Sequence, residues 1–427
     1  MPTGGLERIL GLILTIALFS DAYPPEVNGV ATAVVLIRRE LQRQGHTVYV
    51  FCPNYNRPTD DEEGVFRFWS IPYFFKAMRK QRFAFPTVRD FRKLKALDVD
   101  IIHSHVPGNV GVLALIASWW YRIPHVHTYH TFYIRYTHYM PLPRSLSTRG
   151  IKWITRHFMG RCQRVICPSR QIRDEIKTYG GDFPIDVIPT GIDLERNETW
   201  VPTETIRRRQ NLPPQRRTLT FVGRLGFEKN LDFLVEAFAK LVSRGYPVSL
   251  LIVGDGDART LIEETARRRR VWEHIRITGY VPRETVFSYC RASDIFVFAS
   301  MTETQGLVLL EAMSTGLPVV AIDAMGVSDL QRDEVGGLLS GPYTEEFADK
   351  VAQLLDNREL YERKRRGAIN KSRLWSTDPM TRRLVACYEE SIRDYKQHGL
   401  PRFRRRTWEQ DPLTEIQWPP EPTPERP

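Results

Sequence analysis

Two pairs of charged residues stand out by type and position. Arg224 and Lys229 fall in GRLGFEKN, directly after the apolar run TLTFV, and Glu303 and Glu311 fall in MTETQGLVLLEAM, directly after DIFVFAS. Two cations fixed at a strand's carboxyl end can hold a diphosphate and offset the charge it gains as a leaving group. An ordinary solvated loop fits that spacing equally well. Residues 302–305 read as a loop and Gly306 as the opening of a helix, which puts Glu303 in the loop and Glu311 on the helix, about 7 Å along its axis from Gly306. The helix start between the two acids supplies N–H groups suited to phosphate. One ligand could then span both carboxylates, with sugar hydroxyls on the acids and phosphates on the amides. The plainer alternative is an exposed loop acid and an unrelated helix-face acid.

Other candidates are weaker. Asn28-Gly29 in PPEVNGVATAV is expected to make a tight turn after the first strand, where glycine permits close backbone approach and helix amides attract anions. Asp255 and Asp257 in VGDGDART imitate a DxD metal site, but the glycines around them suit a turn and no further carboxylates gather nearby, so the turn is the expectation. His103 and His105 end one strand, and His127 and His130 end the next, with Tyr129, Tyr136 and His138 close in sequence. No cysteine or carboxylate accompanies them at zinc spacing. They are expected to face a substrate, with His130 the first choice.

These residues need elements to hold them. LTIALFS, a helical pattern over residues 31–44 and HTVYVFCP make a strand, helix, strand unit. DVDIIHSH, IPHVHTYH, RVICPS and IDVIPTG continue the series as short β-branched runs. Residues 193–217 lapse into polar and proline residues and read as a linker. A second series follows through TLTFVGR, VSLLIVGDG, IRITGYV, ASDIFVFAS and LPVVAI. Alternation of this kind implies α/β architecture, two doubly wound Rossmann-like domains with ligands at the carboxyl ends of the strands and in an interdomain cleft. Expected boundaries are 1–204 for the first domain, 205–378 for the second, and 379–398 for a C-terminal helix returning to the first domain. Residues 399–427, ending in PPEPTPERP, are too rich in proline and charge to build a core and are expected to stay unstructured.

Length and composition agree. A chain of 427 residues with 42% hydrophobic and 11% aromatic content suits two folded domains. Its net charge of +11 draws it towards something anionic. Five scattered cysteines without paired spacing read as reduced thiols in a cytoplasmic protein. ILGLILTIALF runs into SDAYPPEVNG without a small-residue cleavage site and reads as a buried first strand, not a signal core. VGVLALIASWWY is too short to cross a bilayer.

Asn28-Gly29, Arg224 with Lys229, VGDG, and Glu303 with Glu311 together resemble the retaining GT-B-fold glycosyltransferases of family four, over roughly residues 14–395. Within that family, FSDAYPPEVNGVAT, HTYHTFYIRYTHY and TETQGL resemble the bacterial and mycoplasmal diacylglycerol glucosyltransferases. The resemblance implies a GT-B fold and transfer of glucose from UDP-glucose to 1,2-diacylglycerol with retention of the α configuration. It implies no metal and no cofactor, the nucleotide sugar being a substrate. Arg224 and Lys229 would grip the diphosphate, Glu303 the sugar hydroxyls and Glu311 the ribose. Amides of the Thr304, Gln305, Gly306 and Leu307 stretch would join Gly29 at the phosphates. Tyr280 and Val281 would receive the base, and His130 would face sugar and acceptor. The residues before the first strand and the RFRRRTWEQ tail have no counterpart in the family pattern.

From Trp69 to Lys95 cations mix with aromatics, a pattern that suits either single-stranded nucleic acid or an anionic bilayer. A solvated basic face over core aromatics is the bland alternative. No nucleic-acid-binding motif accompanies the charge, so the expected partner is an anionic membrane, with the arginines of residues 144–164 extending that surface. Expected placement is cytoplasmic, peripheral on the inner face of the cell membrane.

Overall fold

The computed structural model describes residues 13–26, 28–55, 62–73, 81–130, 144–194 and 200–401. Residues Met1–Pro189 and Met380–Pro427 form one unit, and Thr190–Pro379 form the other.

In the first unit the apolar run TIALF becomes β1 (Thr15–Phe19), buried along almost its whole length. Asn28 then caps α1 (Gly29–Arg43), its side chain accepting the Ala31 N–H at 2.8 Å. The expected tight turn at Asn28-Gly29 is therefore a helix start, because asparagine's short acceptor satisfies an orphan N–H of the first turn. The unit continues through β2 (Thr47–Pro53), β3 (Val65–Pro72), β4 (Arg82–Phe85), α2 (Val88–Ala96), β5 (Ile101–Ser104) and α3 (Asn109–Tyr121). It closes with β6 (His125–Thr128), α4 (Arg144–Met159), β7 (Arg164–Cys167), α5 (Arg170–Lys177) and β8 (Ile185–Val187). Its sheet runs β4-β3-β2-β1-β5-β6-β7-β8, with every pairing parallel except β3 with β4.

Parallel strands buried on both faces need a helix layer on each. On one face α2 and α3 supply Leu94, Val110, Leu113 and Ala117. On the other, Val34 and Leu41 of α1 meet Leu384, Cys387 and Tyr388 of the last helix. Arg164 of β7 lies buried among Asp186, Glu390 and Asp394, at 3.4, 2.6 and 3.2 Å, which ties that helix to the sheet.

The second unit holds α6 (Thr203–Arg209), β9 (Arg217–Val222), α7 (Leu231–Ser243), β10 (Val248–Val253), α8 (Arg259–Arg268), β11 (Ile275–Ile277) and α9 (Val286–Arg291). It continues with β12 (Ile295–Phe298), α10 (Leu307–Ser314), β13 (Val319–Ile322), α11 (Met325–Gln331), β14 (Gly337–Ser340), α12 (Thr344–Asp356) and α13 (Arg358–Leu374). The last helix, α14 (Thr377–His398), begins there. The sheet is wholly parallel in the order β11-β10-β9-β12-β13-β14, so β9 and β12 are central neighbours.

Part of the stretch read as a linker is folded. Ile206 and Leu212 are buried, Ser288 accepts the Val201 N–H at 3.0 Å, and Arg207 donates to the Ala292 carbonyl at 3.0 Å. A few well-placed apolar and hydrogen-bonding groups outweigh the turn-rich composition there. All five cysteines are buried, and none forms a disulfide. Among the described residues no helix is long and apolar enough to cross a membrane. The start of the N-terminal apolar run, residues 131–143 with Tyr136 and His138, and the chain after residue 401 lie outside the described residues.

Candidate functional site

The loops after β9, β10 and β12 form one packed group in the second unit. Glycines let the first two touch: a Cβ on Gly254 would stand 1.9 Å from the Gly223 carbonyl oxygen, and one on Gly256 would stand 2.6 Å from that of Leu225. Leu225 N–H donates to the Asp255 carbonyl at 2.9 Å, and Ala258 N–H returns to the Leu225 carbonyl at 2.8 Å. Asp255 serves this turn, accepting the Gly256 N–H at 2.9 Å and facing Arg259 at 3.4 Å.

A short 3-10 turn, Phe227–Lys229, ends the β9 loop, and Asn230 follows it in the left-handed conformation with φ of 55°. Ser300, just after β12, donates to the Glu228 carbonyl at 3.2 Å, and Asn230 donates to that of Ala299 at 3.4 Å. This stitching brings two of the sequence-singled residues into direct contact, as Lys229 Nζ donates to Glu303 Oε1. Arg224 is held in the same way by Glu228. Both pairs are partly open to solvent.

The loop before α10 is held from two sides. Gln305 is buried and clasps the backbone of Thr190, accepting its N–H at 2.8 Å and donating to its carbonyl at 2.6 Å. Gly326 of α11 donates its N–H to the Glu303 carbonyl at 2.9 Å, and a Cβ there would lie 2.1 Å from the Thr304 carbonyl oxygen. Gly306 has φ of 79°, a conformation glycine adopts without strain. The first bond within α10 runs from Leu309 N–H to the Gly306 carbonyl, so the preceding amides are the helix's outward donors. Glu311, mostly buried on α10, takes Arg283 at 2.9 Å. Tyr280 is exposed, while Val281 packs on the core.

In the first unit lie Gly29, at the head of α1 with open space where a Cβ would stand, and His130, after β6. The other histidines expected to face a substrate, His103, His105 and His127, are instead fully buried, as is His125. His103 bridges Tyr388 and Thr128 at 2.6 and 2.7 Å, and Ser104 meets His125 and His127 at 2.7 and 2.8 Å. His105 Nδ1 and His130 Nε2 stand 3.0 Å apart, which leaves His130 as the partly accessible end of the cluster. Burial pushes His130 down to about 4 and His125 to about 3, so both rings are neutral near pH 7. Among the described residues no group of three or more His, Cys, Asp or Glu side chains is arranged to hold a metal ion.

Comparison with known proteins bears on this geometry. Residues 27–196 match the model for Glycosyltransferase Family 4, and residues 202–371 match Glycosyl transferases group 1. An α-monoglucosyldiacylglycerol synthase of Streptococcus pneumoniae is 34% identical over 76% of this chain and 75% of its own length. The chain belongs to glycosyltransferase family four. A second α-monoglucosyldiacylglycerol synthase, from Acholeplasma laidlawii, is 28% identical over 87% of this chain and 95% of its own. The fold of a sucrose-phosphate synthase from Thermosynechococcus elongatus superposes with a TM-score of 0.71, covering 88% of this chain and 98% of that one at 21% identity. The architecture is thus the GT-B fold expected from the sequence.

Several residues of this glycosyltransferase escaped sequence reasoning. Glu228 shares the GRLGFEKN stretch with Arg224 at i,i+4 spacing, a signal that was present. Arg283, Gly326 and the clasp made by Gln305 depend on chain segments far apart in sequence. Asp21, just after β1, accepts the Val110 N–H at 3.0 Å, and burial pushes its carboxyl up to about 6. At the sheet edge Trp69 pairs across strands with Phe85, their rings 5.1 Å apart. Both are exposed, as expected of the basic aromatic stretch, though its residues 74–80 lie outside the described residues.

Proposed function

We propose that this family-four glycosyltransferase moves glucose from UDP-glucose to 1,2-diacylglycerol and gives α-monoglucosyldiacylglycerol. The observation that carries this reading is the match to two α-monoglucosyldiacylglycerol synthases over three quarters or more of each chain. The site geometry supports a nucleotide-sugar donor. Arg224 and Lys229 sit at the end of the central strand β9, and Glu303, Glu311 and the outward amides of α10 follow its neighbour β12.

Arg224 and Lys229 take the donor diphosphate, with the amides of Gln305, Gly306 and Leu307 and the head of α1 at Gly29. Glu303, in the Glu303-Thr304 loop, accepts from sugar hydroxyls and Glu311 from the ribose, with the base near Tyr280 and Val281. The acceptor oxygen bonds to the anomeric carbon as the bond from that carbon to the diphosphate breaks, and the acceptor's proton passes to a diphosphate oxygen on the same face. This path retains the α configuration and needs no metal or cofactor. His130, neutral and hydrogen-bonded to His105, positions sugar and acceptor without being charged. The enzyme works at the inner face of the cell membrane, where a basic surface meets anionic lipid, and nucleic acid is not a partner.

The test incubates purified protein with anionic liposomes containing diacylglycerol and, separately, UDP-glucose, UDP-galactose and GDP-mannose. Mass spectrometry identifies the glycolipid, and NMR coupling at the anomeric carbon reports its configuration. Glucosyldiacylglycerol formed in excess chelator is expected. A product from only another donor would replace glucose, and no product with any donor would overturn the reading.

A further inference from the structure

Two adjacent helices of the first unit carry an apolar stripe on their outer side. On α3 the stripe is Val112, Ile116, Trp119 and Trp120, at i, i+4, i+7 and i+8, with Trp119 72% and Trp120 70% exposed. On α4 it is Leu146, Trp153 and Ile154, with Trp153 62% exposed. The two helices touch, since the ring of Phe158 in α4 stands 3.5 Å from where a Cβ on Gly111 of α3 would be. Their inner sides are filled by Val110, Ala114, Phe158 and Met159, so the exposed stripes are what remains outside the core. Arg149 and Arg156 share the outer side of α4.

Neither α3 nor α4 carries an acidic residue. Between Asp100 and Asp174 the chain has no acidic residue, while it carries ten arginines or lysines there. Arg164 of this run is neutralised inside the core and Lys152 stands 4.0 Å from Glu175, while Arg149 and Arg156 on the outer side of α4 are exposed cations. An apolar stripe with tryptophan, set among cations, fits the boundary of an anionic bilayer, where indole rings lie at headgroup level and cations meet lipid phosphate. Val112 and Ile116 give a base nothing to stack on or pair with, so nucleic acid fits the α3 stripe less well than a bilayer does.

The structure separates this face from the aromatic hairpin. Phe68 and Ala84 pack into the core shared with α3, so their neighbours Trp69, Phe83 and Phe85 project from the opposite side of the sheet. We propose that the α3 and α4 face, with Trp119, Trp120 and Trp153 as anchors, is the surface by which this protein docks on anionic lipid, and that the hairpin is not. The inference deepens the membrane placement in the reading above, whose purpose it shares.

Flotation of the full chain with phosphatidylcholine vesicles, with and without phosphatidylglycerol, tests it. The vesicles contain neither diacylglycerol nor nucleotide, so the result is independent of whether glucose is transferred. Wild type is expected to float only with the anionic vesicles. Trp119→Ala with Trp120→Ala should lose about tenfold or more in apparent affinity. Arg149→Glu with Arg156→Glu, a variant confined to exposed positions, should lose about fivefold or more per site, and its remaining binding should weaken less with added salt than that of wild type. Trp69→Ala with Phe85→Ala should bind as wild type. Thermal midpoints of all variants must match wild type for the comparison to count, and the paired arginine variant carries the test if the tryptophan variant does not fold. Wild type that stays with the free protein, or binding lost in the hairpin variant and kept in both helix variants, would overturn the proposal. A wild-type dimer made monomeric by the tryptophan substitutions, with vesicle binding intact, would assign the face to a second copy instead.

Discussion

Arg224 and Lys229 are each already neutralised, by Glu228 and Glu303, so a diphosphate that uses these cations must displace two carboxylates. The exchange sets opposite consequences for the two sides of each pair. Lys229→Ala removes the charge that stabilises the leaving diphosphate and leaves Glu303 without its partner. Donor turnover should fall about a hundredfold or more, measured as kcat/KM for the nucleotide sugar. Glu228→Gln keeps the shape and removes the competitor for Arg224. Here KM for the donor should fall severalfold and inhibition by the nucleoside diphosphate should tighten, and an unchanged or higher KM would refute the exchange. Glu311, paired with Arg283 and mostly buried, belongs to nucleotide binding in this scheme. Glu311→Ala should therefore raise donor KM far more than it lowers kcat, and wild-type kinetics would remove that role.

The elements decide how firmly those residues are placed, and Gly326 at the start of α11 is the tightest point. Because a Cβ there would lie 2.1 Å from the Thr304 carbonyl oxygen and 2.5 Å from the Gln305 amide nitrogen, any side chain must push the loop that carries Glu303. A displacement of about 1 Å costs up to about a hundredfold in rate, so Gly326→Ala should cut kcat/KM by about ten- to a hundredfold with the fold retained by circular dichroism. Unaltered kinetics would mean that the loop is held elsewhere. The strands and helices around this point were legible because short β-branched runs alternate with helix-length segments, and Arg224, Lys229, Glu303 and Glu311 were legible because each follows such a run. Asn28 reads equally as a turn or a cap until its side chain is seen on the Ala31 N–H. The described part of the stretch 193–217 that is folded escapes a reading by composition, which records its prolines and charges but not the burial of Ile206 and Leu212. The histidines went astray for the same reason: His103 meets Thr128 and Tyr388, His125 and His127 meet Ser104, and His105 meets His130 inside the core, and no local spacing announces that.

For the whole molecule those histidines control stability against acid. His103, His105, His125, His127 and His130 are all shifted below the usual histidine range, chiefly by burial. Below about pH 6.5 the unfolded chain binds protons that the folded one refuses, so stability is full above that pH and falls as pH drops. Asp21 works the other way. Its folded value of about 6 lies above the ordinary 3.8, so the folded chain holds the extra proton between those limits and loses stability as pH rises through 6. The five buried histidines outnumber the one aspartate, so this cluster takes up protons on unfolding below pH 6.5 and its contribution to stability falls there. Denaturant unfolding at pH 7.5, 6 and 5 should show that decline, and a flat profile would contradict the buried neutral cluster. Asp21→Asn separates the two contributions. It should raise the unfolding free energy at pH 7.5 by on the order of 1–3 kcal/mol, with the gain fading towards pH 4, where the wild-type carboxyl is itself protonated in the fold. A gain that is constant with pH would instead trace to the amide's hydrogen bonds and not to the buried charge.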